Sequence, residues 1–553
     1  MRLILFLLAF SLTHAAQAST AAIASAHPLA TEAGFDILEQ GGNAFDAAVA
    51  VAAALSVVEP TGSGMGGGGF WLLHRQQDGF QTMVDARETA PAGAYREMYL
   101  DHEGNVERDW AINGPSAAAI PGQAAAFAHV AERYGTLPLA DLLAPAIRMA
   151  EEGFPVDERY RRLAGFRQDA MQRFPETRRI FLLDGAIPPQ GHRLIQPDLA
   201  RVLKAVAEHG HDGFYRGEVA EQLVNGVQEY GGLWTLEDLE NYQIIEREPV
   251  VGTFRGATIT SASLPSSGGI VLMQTLNILS RFNDGNLDPS VAPHIIAEAL
   301  RRAYRDRAEF LGDPDFADVP VERLLSRSHA GALAASIRLD QPTASEGLGK
   351  LMEQPSGTDT THFSIIDAQG NRVAATLSIN LPFGSAFVPP GTGVLLNNEM
   401  DDFSAKPGEP NAYGLVGSDA NAIEPGKRPL SSMTPTFLDW DGNSAVLGTP
   451  GGSRIISMVM LAILDALDGH DVDHWVSRPR FHHQYLPDLV EGEPDFIGSE
   501  DARRLMVRGH ELKSTGRRYG NMQVIKRDGN GTLSAAADPR GVGEAWVREL
   551  EPK

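Results

Sequence analysis

The run from Gln341 to Asp359 is poor in apolar residues and broken by Pro, Ser and Gly, and it leads straight into the β-rich segment "TTHFSII" at Thr360. A linker that opens a strand, with no entry turn of a new domain, restricts the folds open to this chain. The same segment continues as "TTHFSIIDAQGNRVAATLSIN", in which two β-rich runs flank Asp367 to Asn371. A three-residue loop, Ala368 to Gly370, with glycine in the left-handed position, is a common hairpin connection. Asp367 then pairs with Asn371, and Thr360 falls opposite Ser378. Asn380 lies two residues further on the same face, while Val373, Ala375, Leu377 and Ile379 take the other.

This register gathers two hydroxyls and an amide at the start of a strand. Threonine is also simply a good strand residue, so the pair alone decides nothing. Inside a chain its hydroxyl is a poor nucleophile; at an N-terminus the α-amine, with a pKa of ~7.7–8.0, serves as its base. Such an N-terminus requires a cut between Asp359 and Thr360. Attack of the Thr360 hydroxyl on the Asp359 carbonyl, followed by hydrolysis of the ester, makes that cut and turns the linker into a free C-terminus.

The chain begins "MRLILFLLAFSLTHAAQAST". A positive n-region (Arg2), an apolar stretch and a small-x-small site at Ala16 to Ala18 predict a secretory signal removed after Ala18, and hence a periplasmic or secreted protein. The stretch is shorter than the ~20 residues that span a bilayer, so no membrane insertion is expected once it is removed. There is no cysteine among the 553 residues, which rules out disulfides and thiol chemistry. A net charge of −24 argues against nucleic acid and anionic membranes as partners. Helical and strand-like segments interleave without repeats or low-complexity tracts, which favours a layered α/β protein. "NAFDAAVAVAAALSVVEP" starts a helix with Asn43 as N-cap and Asp46 three residues on. "HIIAEALRRAYRDRAEFLGDP" and "SRIISMVMLAILDALDG" are further helices.

Several loops offer chemistry. "SGMGGGGFWLL" holds a literal G-x-G-x-x-G from Gly64 to Gly69, but in the order helix, glycines, strand, the reverse of a dinucleotide site; a close-packed turn is expected. "AVLGTPGGSRIIS" runs from strand through Gly451 and Gly452 into a helix, where backbone N–H groups are placed to hold an anion or an oxyanion. Arg87, between Asp85 and Glu88, and the paired hydroxyls Ser431 and Ser432 are candidate carboxylate binders. Glu399, Asp401 and Asp402 form an acidic cluster suited to an ammonium or a metal. His482 and His483, adjacent on a strand, point opposite ways and with no H-E-x-x-H motif present suggest no metal; no cofactor is assigned.

Together, "TTHFSIIDAQGN…LSIN…FG", "LLNNEMDDFSAKPG", "KRPLSSMTPT" and "GTPGGSR" resemble the γ-glutamyltranspeptidases, or glutathione hydrolases. The likeness extends in order to "HPLATEAGFDILEQGGNAFDAAVA", "GGGGFWL", "RYGTLPLADLLAPAIRMAEEGFPV", "PSSGGI" and "GDPDFADVPVERLLS". The resemblance implies an α+β N-terminal nucleophile fold, a four-layer αββα sandwich. It implies a precursor that cuts itself into a large subunit, 19–359, and a small subunit, 360–553, which remain together as a heterodimer. Thr360 would attack the γ-carbonyl of glutathione or another γ-glutamyl amide, and water, an amino acid or a peptide would resolve the acyl-enzyme. By position, Gly451 and Gly452 match oxyanion-hole glycines. Arg87, Ser431 and Ser432 match the α-carboxylate binders; Asn380, Glu399 and Asp402 match the α-amine binders. Tyr413, in "SAKPGEPNAYGLVG", matches a lid tyrosine. Ser378 stands where members usually carry threonine, and Glu399 where bacterial relatives often carry glutamine. The rival is an acylase of the same architecture acting on glutaryl amides, which lack the α-amine that Asn380, Glu399 and Asp402 would hold.

Overall fold

The computed structural model describes residues 19–345 and 360–551; the expected signal at 1–18, and Asp359 on the upstream side of the expected cut, lie outside the described residues. Two antiparallel sheets stack face to face. In the first, the spatial order is Glu544–Leu550, Ser19–Ser25, Thr361–Ile366, Arg372–Ser378, Gly68–Arg75, Phe80–Ala86 and Ile245–Arg247. In the second it is Leu533–Ala537, Gln523–Arg527, Asn443–Gly448, Thr436–Trp440, Ala257–Ser261 and Val250–Phe254.

The period-two pattern of the central hairpin decides what each face of the first sheet meets. Phe363, Ile365, Val373, Ala375 and Leu377 join Trp71 and Leu73 in one core, closed by the helix Ala44–Val58. Every residue of that helix is buried, as expected of a helix apolar all round. Its start is held by the capping box read from the sequence: the Asn43 side chain accepts from the Phe45 and Asp46 N–H groups, and Asp46 accepts from Asn43 N–H at 2.9 Å. From the other face, Phe70, Leu72, Ile366 and Ala374 share a second core with Phe437, Val446 and Ile525 of the second sheet. The helices Gly268–Leu279, Ala292–Phe310 and Ile455–Leu467 complete that core from outside. Helix, sheet, sheet and helix thus form four layers, the αββα sandwich expected from the resemblance.

The hairpin has the expected register, with Leu377 opposite Thr361 and Arg372 opposite Ile366. Gly370 takes φ +89° in the turn and donates its N–H to Asp367 O at 3.0 Å. One detail differs. The second strand ends at Ser378 and does not run on through Asn380, which adopts φ +72°. Asparagine tolerates this left-handed conformation, and its Nδ2 is held by Asn398 O at 2.8 Å. His362, between the sheets, bonds Thr376 Oγ1 at 2.8 Å and Ser364 Oγ at 3.2 Å. Burial lowers its pKa to about 3, which keeps the ring uncharged between the sheets. Its ring lies where a side chain at Gly448 would otherwise be.

The first sheet interleaves strands from both sides of the expected cut: Ser19–Ser25 lies between Glu544–Leu550 and Thr361–Ile366.

Candidate active site

The first sheet ends in a cleft at the start of Thr361–Ile366. Thr360, 4% exposed, opens onto it, and its Oγ1 lies 3.5 Å from Ser378 Oγ. The hairpin register alone creates this approach. Ser378 Oγ also accepts the Asn380 N–H at 2.8 Å, which ties the turn after the strand to the hydroxyl pair.

Arg87 follows the strand Phe80–Ala86 and reaches into the same cleft. Its Nη1 lies 2.7 Å from Glu399, its Nη2 2.5 Å from Asp402, and Glu88 stands at 3.5 Å. Asp85 takes a different part from the one its position beside Arg87 suggests. It accepts the Arg87 backbone N–H at 2.9 Å and pairs with the Arg247 side chain at 2.8 Å. Burial works to lower the Arg87 pKa, but Glu399, Glu88 and Asp402 hold it above the ordinary value. Burial raises both carboxyls against the opposing effect of Arg87: Glu88 up to about 7, Glu399 well above the carboxylate range. Glu399 is 1% exposed, and neither of its oxygens accepts a hydrogen bond of good geometry, despite the nearby guanidinium. An unsatisfied buried acceptor is costly, and an N–H donor entering the cleft relieves that cost. Asp401 faces away, accepting the Ala412 N–H at 3.0 Å.

On the opposite wall the strand Asn443–Gly448 leads into Gly451 and Gly452, a 3₁₀ turn Gly452–Arg454 and the helix Ile455–Leu467. Gly451 and Gly452 take φ of +148° and +56°, and neither N–H has an acceptor among the described residues. Gly452 borders the cleft, while Gly451 packs against Met458. Tyr413 lies over Gly452 so closely that a Cβ there would collide with the ring. The Tyr413 hydroxyl donates to Asn380 O at 2.7 Å. Asn411 reinforces this covering loop by donating to Asp402 Oδ1 at 3.2 Å.

Ser431 and Ser432 line the cleft from the loop before Thr436–Trp440. Beside them is a residue that sequence reasoning missed. Arg307, near the end of the helix Ala292–Phe310, donates Nη2 to Ser432 Oγ at 3.3 Å. A signal existed: Arg307 follows Leu300, Ala303 and Tyr304 at the spacing of the helix's buried stripe, and a cation in an apolar stripe asks for a reason. Leu415, Leu430 and Met433, which lie within "SAKPGEPNAYGLVG" and "KRPLSSMTPT" but were given no role from sequence, add an apolar lining.

Other sequence features lie elsewhere. His482 contacts Ser457 Oγ at 2.9 Å, and His483 faces Asp488 at 3.5 Å. Among the described residues one group of three potential metal ligands lies together, Asp465, His470 and His474; none of them lines the cleft. The Gly64 to Gly69 loop packs backbone to backbone: side chains at Gly66 and Gly67 would strike the carbonyls of Leu395 and Ser378.

The gamma-glutamyltranspeptidase family model matches residues 30–547. The glutathione hydrolase proenzyme of Escherichia coli (strain K12) is 42% identical over 539 residues, covering 96% of this chain and 92% of the relative. The acylase ACY 1 proenzyme of Pseudomonas sp. (strain SE83) is 37% identical over 535 residues, covering 94% and 92%. Among solved structures, cephalosporin acylase from Bacillus halodurans superposes with a TM-score of 0.84 at 29% identity over 97% of each chain. The γ-glutamyltranspeptidase of Helicobacter pylori gives 0.57 at 38% identity, covering 60% of this chain and 96% of that one. With a family match over nearly its whole length and full-length relatives at such identities, the chain belongs to the gamma-glutamyltranspeptidase family, a family of enzymes.

Proposed function

We propose that this protein is a self-cleaving γ-glutamyl hydrolase and transferase acting on glutathione and other γ-glutamyl amides. Thr360 Oγ1 first attacks the Asp359 carbonyl; the C–N bond breaks, which frees the Thr360 α-amine and leaves an ester on Oγ1, and water hydrolyses that ester to restore the hydroxyl and release the Asp359 carboxylate. That amine then takes the Oγ1 proton as Oγ1 adds to the substrate's γ-carbonyl. The Gly451 and Gly452 N–H groups hold the oxyanion, a role in which one donor is typically worth ~10²–10³ in rate. Collapse expels the leaving amine with a proton, and water or an acceptor amine releases the γ-glutamyl group from Thr360. Ser378 supports the nucleophile, and Tyr413 covers the site. Arg87, Ser431 and Ser432 take the α-carboxylate; Asn380, Glu399 and Asp402 take the α-ammonium.

The observation that carries this reading is the buried Glu399 carboxylate, paired with Arg87 at 2.7 Å yet accepting no well-aligned hydrogen bond, in a cleft where Arg87 meets three carboxylates. A zwitterionic headgroup supplies an ammonium to Glu399 and a carboxylate to Arg87 without changing the net charge of the site. A glutaryl group, as in the acylase alternative, brings no ammonium to Glu399, and discrimination against an analogue lacking such a partner reaches ~10⁴–10⁵. The deciding assay compares a γ-glutamyl anilide with the glutaryl anilide, which differs by the α-amine alone. Strong preference for the first is expected; equal or better turnover of the second transfers the function to the acylase class.

The signal-like residues 1–18 support export to the periplasm or beyond. Among the described residues no helix is long and apolar enough to cross a membrane.

A further inference from the structure

Two guanidinium groups reach the cleft, and their surroundings differ. Arg87 stands among Glu88, Glu399 and Asp402. Arg307 is 5% exposed, yet no carboxylate among the described residues pairs with it. Its Nε donates to Ser267 Oγ at 3.0 Å and its Nη2 to Ser432 Oγ at 3.3 Å, while Nη1 has no acceptor among the described residues. Ser267 in turn donates to Ser431 O at 2.6 Å. The Arg307 side chain is therefore braced by the loop that carries the two cleft serines. Burying a cation without an anion is expensive. Here burial lowers the Arg307 pKa; Tyr304 and Asp402 oppose the shift without reversing it, and neighbouring Arg87 adds to it. A carboxylate arriving beside Ser432 removes this imbalance, whereas at Arg87 it must share a guanidinium already facing three carboxylates.

We propose that Arg307 is a substrate-binding residue: with Ser432 it supplies the second cation for the α-carboxylate of the γ-glutamyl donor, beside Arg87. The inference rests on the γ-glutamyl reading for the identity of the ligand, but its charge argument concerns the carboxylate alone. Arg87 then has a double task, ordering Glu399 and Asp402 and touching the carboxylate. Arg307 has a single one, and its replacement leaves the ammonium-binding groups in place.

Three anilides separate the two claims: γ-glutamyl, with both charges; glutaryl, with only the carboxylate; and 4-aminobutyryl, with only the amine. Each is assayed on the mature wild-type enzyme and on Arg307→Gln, whose fold is checked by self-cleavage and thermal melting. Loss of kcat/KM by at least about ten-fold on both carboxylate-bearing substrates, with 4-aminobutyryl turnover unchanged, is expected. Arg307→Lys keeps the charge and is expected to retain part of the selectivity. Equal losses on all three substrates in a folded variant make Arg307 a structural brace and overturn the proposal, as does no loss on any. If Arg307→Gln does not fold, Arg307→Lys decides by the same comparison, selective loss supporting the proposal and uniform loss overturning it. Failure of the γ-glutamyl reading appears elsewhere, as a wild-type enzyme that does not prefer the γ-glutamyl over the glutaryl compound.

Discussion

Glu399 is held above the usual carboxylate range by burial, with Arg87 opposing, and its task in the proposed mechanism requires the ionised form. The ionised fraction grows as pH rises through the elevated pKa. KM for a γ-glutamyl anilide is therefore expected to fall with rising pH until the substrate amine itself deprotonates. Glu88 and Asp401, both raised to about 7 by burial, titrate in the same region, so the assignment needs Glu399→Gln, which should flatten this limb. A wild-type KM that ignores pH would count against the ammonium site. Arg87→Ala removes a charge-assisted contact worth ~1.5–3 kcal/mol, and KM should rise about ten-fold or more; an unchanged KM would make Arg87 a structural residue. Thr360→Ala should yield one uncut chain on a denaturing gel, and two subunits from that variant would refute self-cleavage.

At the scale of elements, the covering loop and the capped helix lend themselves to test. Tyr413→Phe removes the bond from the hydroxyl to Asn380 O, worth ~1 kcal/mol, while the ring stays over Gly452. Amide exchange in the loop around Tyr413 should quicken by roughly five-fold; unchanged exchange would mean that the loop's other contacts, among them those of Asn411, Ala412 and Gln484, suffice to hold it. Asn43→Ala should cost about 1 kcal/mol in thermal unfolding through loss of the cap. These elements also mark how far the sequence can be read. The capping box and the hairpin register were legible because each is local: a few residues and one turn decide them. The juxtaposition of Thr360 with Ser378 followed directly from that register. The left-handed Asn380 was not foreseen, since it depends on Asn398 in a neighbouring loop segment. The ring of Tyr413 on Gly452 and the reach of Arg307 to Ser432 are contacts between distant segments, and no periodicity encodes which segments meet. The pairing of Arg87 with Glu399 and Asp402 was likewise out of reach. Sequence supplied the charges, and their mutual neutralisation belongs to the fold.

For the whole molecule, the decisive feature is the first sheet, in which Ser19–Ser25 hydrogen-bonds to strands from beyond Thr360 on both of its edges. A cut before Thr360 leaves every one of these ladders intact, so the two fragments should copurify as one particle in native conditions. The proposed cut nevertheless changes the kind of reaction that folding is. Before cleavage the chain finds its structure alone, at a rate independent of concentration. Once cleaved and denatured, it must meet its other half before the central sheet exists. Recovery of activity should therefore slow on dilution for the cleaved protein, and not for uncut Thr360→Ala, whose structure is followed by circular dichroism. A cleaved protein that refolds at the same rate at every dilution would show that one fragment folds unaided. On the proposed self-cleavage, the enzyme's active form is one that it reaches easily only once, by folding first and cutting afterwards.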